Sequence, residues 1–244
     1  KECGVELFVL DDGWFGKRNS DTCSLGDWVE NRHKLPSGLA GLAKKINDLG
    51  MAFGLWFEPE MVSEDSDLYR AHPDWAIQIS GRSHTYSREQ LVLDLSKEEV
   101  CDYLIEAVSA VLQSAPISYV KWDMNRNITN IPEHQANHEK HEFYHRYMLG
   151  LYRVLEELNR RFPDILFESC AGGGGRNDLG MLYYMPQAWA SDNTDAIGRL
   201  SIQEGTGLIF PAISVGSHVS AVPNHQTGRV TPLATRGHVA MLGN

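Results

Sequence analysis

Residues Ser118–Asn127, Ser-Tyr-Val-Lys-Trp-Asp-Met-Asn-Arg-Asn, run from an apolar-alternating segment straight into a charged cluster, and the rest of the chain is read outward from them. In a β-strand, side chains at i and i+2 share a face. Lys121, Asp123 and Asn125 therefore point one way, while Tyr119 and Val120 help to fix the strand. An ammonium close to a carboxylate favours its ionised form. The spacing suits an aspartate that works as an anion, either as a nucleophile or as the stabiliser of a developing cation. A lone Lys-x-Asp after a strand is more often a surface ion pair, so the reading rests on whether other strands end in the same way.

They do. Val5–Leu10 is an apolar run that enters Asp11-Asp-Gly-Trp-Phe-Gly16, and Met51–Phe57 ends in Trp56-Phe-Glu-Pro-Glu60. Ile165–Phe167 leads to Glu168-Ser-Cys-Ala followed by Gly172–Gly175 and Arg176. Gln187–Ala190 ends in Ser191-Asp-Asn-Thr-Asp195, and Ala212–Val215 ends in Gly216-Ser-His218. Helical patterns separate these runs. The first, Ser37–Leu49, has Leu39, Leu42, Ile46 and Leu49 on one face and Gly50 as its stop. A second opens at the capping box Ser96–Glu99 and carries Val100, Leu104, Val108, Val111 and Leu112. A third, His138–Arg161, directs Tyr144, Met148, Leu151, Leu155 and Leu158 to a core, and a fourth covers Arg199–Leu208. Asn19–Pro36, which holds Trp28, reads as a long ordered loop. Residues 61–96 form an excursion with turn chemistry at His72-Pro73-Asp74, short strands at Trp75–Ile79 and Gln90–Leu95, and Arg88 between them.

Strands alternating with helices predict an α/β fold with a parallel sheet and right-handed crossovers. In a (β/α)8 TIM barrel the reactive groups gather at the carboxyl ends of the strands, where this chain keeps its polar residues. Six strands are visible rather than eight, so the expectation is an incomplete barrel, with a six-stranded open sheet as the alternative. The length of 244 residues fits one catalytic domain over 1–244. Lys1–Gly4 reads as the end of a helix already under way.

A formal net charge of −10 without long blocks of like charge argues against nucleic acid or an anionic membrane as partner. No apolar run approaches the roughly 20 residues of a membrane span. Cys3, Cys23, Cys101 and Cys170 are widely and irregularly spaced, which argues against a disulfide framework or a structural zinc site and makes a cytoplasmic location the expectation. His134, His138, His141 and His145 recur at near-helical spacing but do not make His-Glu-x-x-His. They read as a solvated helix entrance, and no metal or other cofactor is expected.

The strand ends collect Asp11, Asp12, Trp14, Trp56, Glu58, Lys121, Trp122, Asp123, Asn125, Cys170, the glycine run, Trp189, Asp192, Asp195 and His218. A mouth of indoles and carboxylates matches a sugar, which offers a C–H face to stack and hydroxyls to donate. Cleaving a glycoside through an oxocarbenium-like transition state needs two carboxyl groups, one anionic and one protonated. Asp123, beside Lys121, fits the anion, and Asp192, with no cation near it in sequence, fits the proton donor. Glu58, Arg126, Asp195 and His218 are candidates for shaping the pocket. The Gly172–Gly175 run lacks the spacing and the Lys-Ser/Thr of a phosphate loop.

The motifs LFVLDDGWFG, FGLWFEPEMV, YVKWDMNRN, FESCAGGGGR and WASDNTDA, in this order, closely resemble glycoside hydrolase family 36, the bacterial-type retaining α-galactosidases. The resemblance spans nearly all the chain. It implies a (β/α)8 catalytic domain flanked in the family by β-domains absent here, with two barrel strands outside these residues, so that the chain is a fragment, and multimers of the full-length protein. By that likeness Asp123 is the nucleophile and Asp192 the acid/base, while Asp11, Asp12, Trp56, Arg88, Lys121, Asn125, Cys170, Gly173 and Trp189 hold the terminal galactose. The implied activity is hydrolysis of terminal α-galactosyl residues in raffinose- or melibiose-type oligosaccharides. The competing readings are a galactosyltransferase of the same chemistry and a catalytically silent carbohydrate-binding protein.

Overall fold

The run before Asp11 forms β1 (Leu7–Leu10), and the run before Glu58 forms β2 (Ala52–Phe57). Two-residue strands β3 (Met61–Val62) and β4 (Leu91–Val92) follow, then β5 (Tyr119–Trp122), β6 (Leu166–Ser169), β7 (Gln187–Trp189) and β8 (Val215–Gly216). The helices are α1 (Gly38–Asp48), α2 (Asp67–Ala71), α3 (Glu98–Ser114), α4 (Phe143–Arg161), α5 (Leu179–Tyr184), α6 (Ala196–Gly207) and α7 (Leu233–Ala240). The computed structural model describes residues 2–79, 81–132 and 140–243. The chain divides into two compact units, Lys1–Leu166 and Phe167–Asn244.

In the first unit β2 lies between β1 and β5 and is parallel to both. Phe53 through Phe57 are all buried, as expected for a parallel strand covered on both faces. Gly54 stands opposite Tyr119, whose Cβ lies 2.8 Å from where a Cβ on Gly54 would sit, so a larger residue would push the two strands apart. In the second unit β7 lies between β6 and β8, again parallel to both. The class is α/β, and the six strands read from the sequence are the six parallel ones. β3 and β4 form a separate antiparallel pair.

Helix faces show where local pattern suffices. Val100, Leu104, Val108, Val111 and Leu112 of α3 are all buried. In α4 the buried face is Phe143, Tyr147, Leu151, Val154, Leu155 and Leu158, whereas Tyr144 is exposed and Met148 half-buried, one position off the expected stripe in the first two turns. The cause is a tertiary hydrogen bond. Tyr147 Oη donates to Glu60 Oε2 at 2.8 Å, and Trp122 Nε1 donates to Glu60 Oε1 at 2.8 Å, so this fully buried carboxylate draws α4 round to its own partner.

Other expectations are corrected. Ser96 does not cap α3: its hydroxyl donates to Asp94 Oδ1 at 2.6 Å, and the helix begins at Glu98 without a side-chain cap. Leu49, just past the end of α1, is exposed, and the helix buries Leu39 and Ala43 instead. Trp75 ends a 3-10 turn, Pro73–Trp75, and the segment after it meets its neighbour through the isolated bridge Ala76–Leu93 rather than a strand pair. The apolar run at Ala212 opens as a 3-10 turn before the short β8, and α6 starts three residues ahead of Arg199 because Asp195 caps it, accepting from Gly198 N at 3.2 Å.

Gly150 of α4 faces Leu95 so closely that a Cβ would overlap the Leu95 carbonyl. Helix propensity alone predicts that Gly150→Ala stabilises by about 1 kcal/mol. The packing predicts the opposite sign, a loss of roughly 1–3 kcal/mol seen as a lower urea midpoint. An unchanged or raised midpoint would show that α4 does not sit this close to Leu95.

Candidate active site

Every parallel strand of the first unit delivers a carboxyl group at its carboxyl end. The β2–β5 register sets Trp56 opposite Lys121, and Asp123, two residues on, shares the face of Lys121. The ladder continues past the strand, with Asp123 N donating to Phe57 O at 2.7 Å. Asp123 is 6% exposed, and both its oxygens accept: Oδ2 from Trp56 Nε1 at 3.0 Å and Oδ1 from Met124 N at 2.9 Å.

Glu58 follows β2 and is fully buried. Its Oε1 accepts from Asn125 N at 2.6 Å and its Oε2 from Gln90 Nε2 at 3.0 Å. Burial, and then the charge of Asp123, push the Glu58 carboxyl up to about 7, against the backbone donor and the charges of Arg88 and Arg18. Gln90 Oε1 is buried without a hydrogen-bond partner. A flipped Gln90 amide would thus accept from a protonated Glu58.

Asp11 and Asp12 diverge after β1. Lys121 Nζ pairs with Asp11 Oδ2 at 2.9 Å. Asp12 is gripped by the buried Arg18, whose Nε and Nη2 reach both carboxylate oxygens at 2.8–3.2 Å while Nη1 donates to Cys23 O. Arg88 is exposed, with φ of +54°, within electrostatic reach of Glu58. The expected mouth of stacking indoles is corrected here. Trp14, Trp56 and Trp122 are 2%, 3% and 0% exposed, so their faces belong to the core. Their N–H groups are spent on Trp56 O, Asp123 and Glu60. A cavity of about 700 Å³ in this unit is lined by Asp27, Asp65, Arg70, His72 and Tyr103 among others and includes none of the strand-end carboxylates.

In the second unit Glu168, on β6, accepts from Trp189 Nε1 at 2.6 Å and from Gln187 Nε2 at 2.9 Å, tying β6 to β7. Trp189 is half-buried and lies on the His218 ring, with centroids 3.9 Å apart. Cys170 is buried directly after β6. The glycine run has a steric cause: Gly173 bridges Ser191 with φ of +81°, and a Cβ there would stand 2.5 Å from Asp192 N, while one on Gly174 would strike the Ala190 carbonyl. Asp192 is exposed in the loop that follows β7.

Asp192, which has no cation close to it in sequence, lies within electrostatic reach of one in the fold. Arg199, one turn into α6, is 1% exposed, and its burial lowers its pKa while the charge of Asp192 raises it. Sequence distance hid this partner. Arg18, Gln90 and Arg199 were all missed as site residues. The available signal was an arginine inside an otherwise apolar or loop-forming run, since a guanidinium is almost never buried without acceptors. Among the described residues no group of three or more His, Cys, Asp or Glu side chains is placed to hold a metal ion. His134 and His138 lie outside the described residues, and His141 and His145 are exposed around the start of α4. No helix of the described residues is long and apolar enough to cross a membrane.

The chain is similar to known proteins along its whole length. The chain matches the Melibiase family model over residues 1–244. It is 64% identical over 244 residues to α-galactosidase AgaA of Geobacillus stearothermophilus, covering 100% of this chain and 34% of that protein. It is 53% identical over 245 residues to α-galactosidase Mel36A of Lactobacillus acidophilus, covering 100% of this chain and 34% of that protein. The crystal structure of a variant of the Geobacillus enzyme, a GH36 α-galactosidase in complex with raffinose, aligns with a TM-score of 0.97 at 63% identity, covering 99% of this chain and 34% of that one. The chain therefore spans about a third of the length of these relatives. Its fold is that of a partial (β/α)8 barrel.

Glu58 generates a pH dependence of stability with a definite sign. A carboxyl whose folded-state pKa is raised from 4.5 to about 7 contributes fully below pH 4.5 and loses that contribution as pH rises to about 7. Relative to Glu58→Gln, whose amide donates to a flipped Gln90, the wild type should lose on the order of 3 kcal/mol across that window. Urea unfolding of both proteins at several pH values measures it, and parallel curves would exclude a neutral Glu58.

Proposed function

We propose, from the premise that the chain belongs to the Melibiase family within glycoside hydrolase family 36, that it is the catalytic part of a retaining α-galactosidase. The substrates are terminal α-galactosyl residues of raffinose- and melibiose-type oligosaccharides. The observation that carries this reading is the setting of Asp123: a buried carboxylate at a strand's carboxyl end, oriented through both oxygens by Trp56 and Met124. A nucleophile has to be held in line with the anomeric carbon before the bond breaks, and these two donors fix its plane.

The mechanism is double displacement. An oxygen of Asp123 attacks the anomeric carbon, and the departing glycosidic oxygen takes a proton from Asp192. Asp192 then removes a proton from water, whose oxygen attacks the same carbon and releases Asp123 as a carboxylate. Asp11 and Asp12 accept from the 4- and 6-hydroxyls, and their anchoring by Lys121 and Arg18 keeps their oxygens in place while leaving lone pairs for the sugar. Lys121, Asn125, Arg88, Trp56, Cys170, Gly173 and Trp189 complete the galactose site. With Trp56 buried, its part is the N–H on Asp123 rather than stacking. The free thiols of Cys3, Cys23, Cys101 and Cys170 support a cytoplasmic location.

Hydrolysis of p-nitrophenyl α-galactoside tests the assignment. Asp123→Asn should fold normally and lose turnover by on the order of 10³-fold or more; near-normal activity would remove the nucleophile role. Asp192→Ala should still be galactosylated by activated aryl galactosides but lose about 10²- to 10⁴-fold on raffinose. Equal losses on both substrates would count against Asp192 as the acid.

A further inference from the structure

The loop that carries Asp192 is built around one side chain from the following helix. Helical side chains lean toward the amino end of their helix, and Arg199, in the first turns of α6, leans back beneath residues 191–195. Its Nη2 donates to Ser191 O at 2.6 Å and its Nε to Asn193 O at 2.8 Å, the carbonyls on either side of Asp192. Nη1 donates to Gly216 O at 3.2 Å, at the end of β8. Nη2 also meets His218 Nδ1 at 2.8 Å, and because a guanidinium only donates, that nitrogen accepts. The whole head is buried, at 1% exposure.

The surrounding contacts leave the loop little other freedom. Ser191 Oγ accepts from Asn193 N at 3.1 Å, Asn193 Oδ1 accepts from Asp195 N at 3.0 Å, and Gly173 bridges Ser191 from the opposite side. Thr194 O accepts from Ser220 Oγ at 3.1 Å. Asp192 is thus an exposed side chain on a backbone whose flanking carbonyls are both held by one buried cation. Lysine does not substitute for it, since a single ammonium lacks the planar fork that reaches several acceptors at once.

We infer that Arg199 is a positioning residue for Asp192: its guanidinium clamps the carbonyls before and after the aspartate, ties them to the end of β8 and to His218, and so sets where the Asp192 carboxyl stands. The inference rests on the proposed role of Asp192 as acid/base and deepens it. Asp192 moves the proton, and Arg199 acts only through the loop and through its neighbouring positive charge. The loss of Arg199 should therefore be felt when the leaving group needs a proton and should spare substrates whose leaving group does not.

The test uses the intact protein and its Arg199→Lys variant, assayed on raffinose and on an activated aryl α-galactoside, with and without azide. The expected result is a loss of about tenfold to a hundredfold on raffinose, a change of no more than a few-fold in formation of the galactosyl-enzyme from the aryl substrate, and azide acceleration of its turnover as the anion replaces the misplaced base. A uniform loss on both substrates without azide acceleration, the mark of a merely structural role, would overturn the inference, as would no loss at all. If Arg199→Lys does not fold, His218→Leu, which removes one of the four acceptors, decides the matter: a smaller loss confined to raffinose supports the clamp, and a substrate-independent effect or none overturns it. Failure of the unmutated protein to cleave either substrate would instead remove the proposed function.

Discussion

The bond from Asp123 N to the Phe57 carbonyl continues the pairing of two parallel strands one residue beyond the last pair of their ladder, and the first unit's rim depends on it. With that register held, Trp56 and Asp123 lie on one face within reach of each other, and Glu58 comes under the backbone of Asn125. A slip of one residue would turn every side chain of β5 to the opposite face and send the carboxylate into the core. The placement of Asp123 is therefore a by-product of sheet formation rather than of loop folding.

A second regularity is the use made of tryptophan. Indole N–H groups of Trp56, Trp122 and Trp189 point at the carboxyl groups of Asp123, Glu60 and Glu168. A buried carboxylate without donors is costly, and an indole supplies one donor together with a large apolar body that fills the surrounding core. Each pairing gives a buried acid a donor from within the apolar layer. Glu60 and Glu168 tie elements together in this way, whereas at Asp123 the same device orients a carboxylate at a strand's carboxyl end. Glu58 is different: burial first, and then the like charge of Asp123, raise its pKa against the donation from Asn125 N.

Much of this was legible in the residues because it is local. Apolar runs ending in Asp, Glu or Gly located all six parallel strands, and the stripe Val100–Leu112 located the buried face of α3. The errors fell where a distant partner outweighed local pattern. Ser96 has the sequence of a cap but bonds Asp94. The first turns of α4 bury Tyr147 rather than Met148 because Glu60, 87 residues away, takes the phenol. The indoles of Trp14, Trp56 and Trp122 were expected to face a ligand and are instead buried, with their N–H groups on the Trp56 carbonyl, Asp123 and Glu60.

From the sequence alone came the order of the six parallel strands and of α1, α3, α4 and α6, the family resemblance carried by five motifs, and the placing of Asp11, Asp123 and Asp192 after strands, because periodicity and turn chemistry act between near neighbours. Tertiary structure alone decided which groups hold those aspartates. Arg18, Lys121, Gln90 and Arg199 are buried or half-buried donors brought to Asp12, Asp11, Glu58 and the carbonyls beside Asp192. Such pairings form only when packing has removed water and left each polar atom to find a partner within about 3 Å, a condition that no local pattern records.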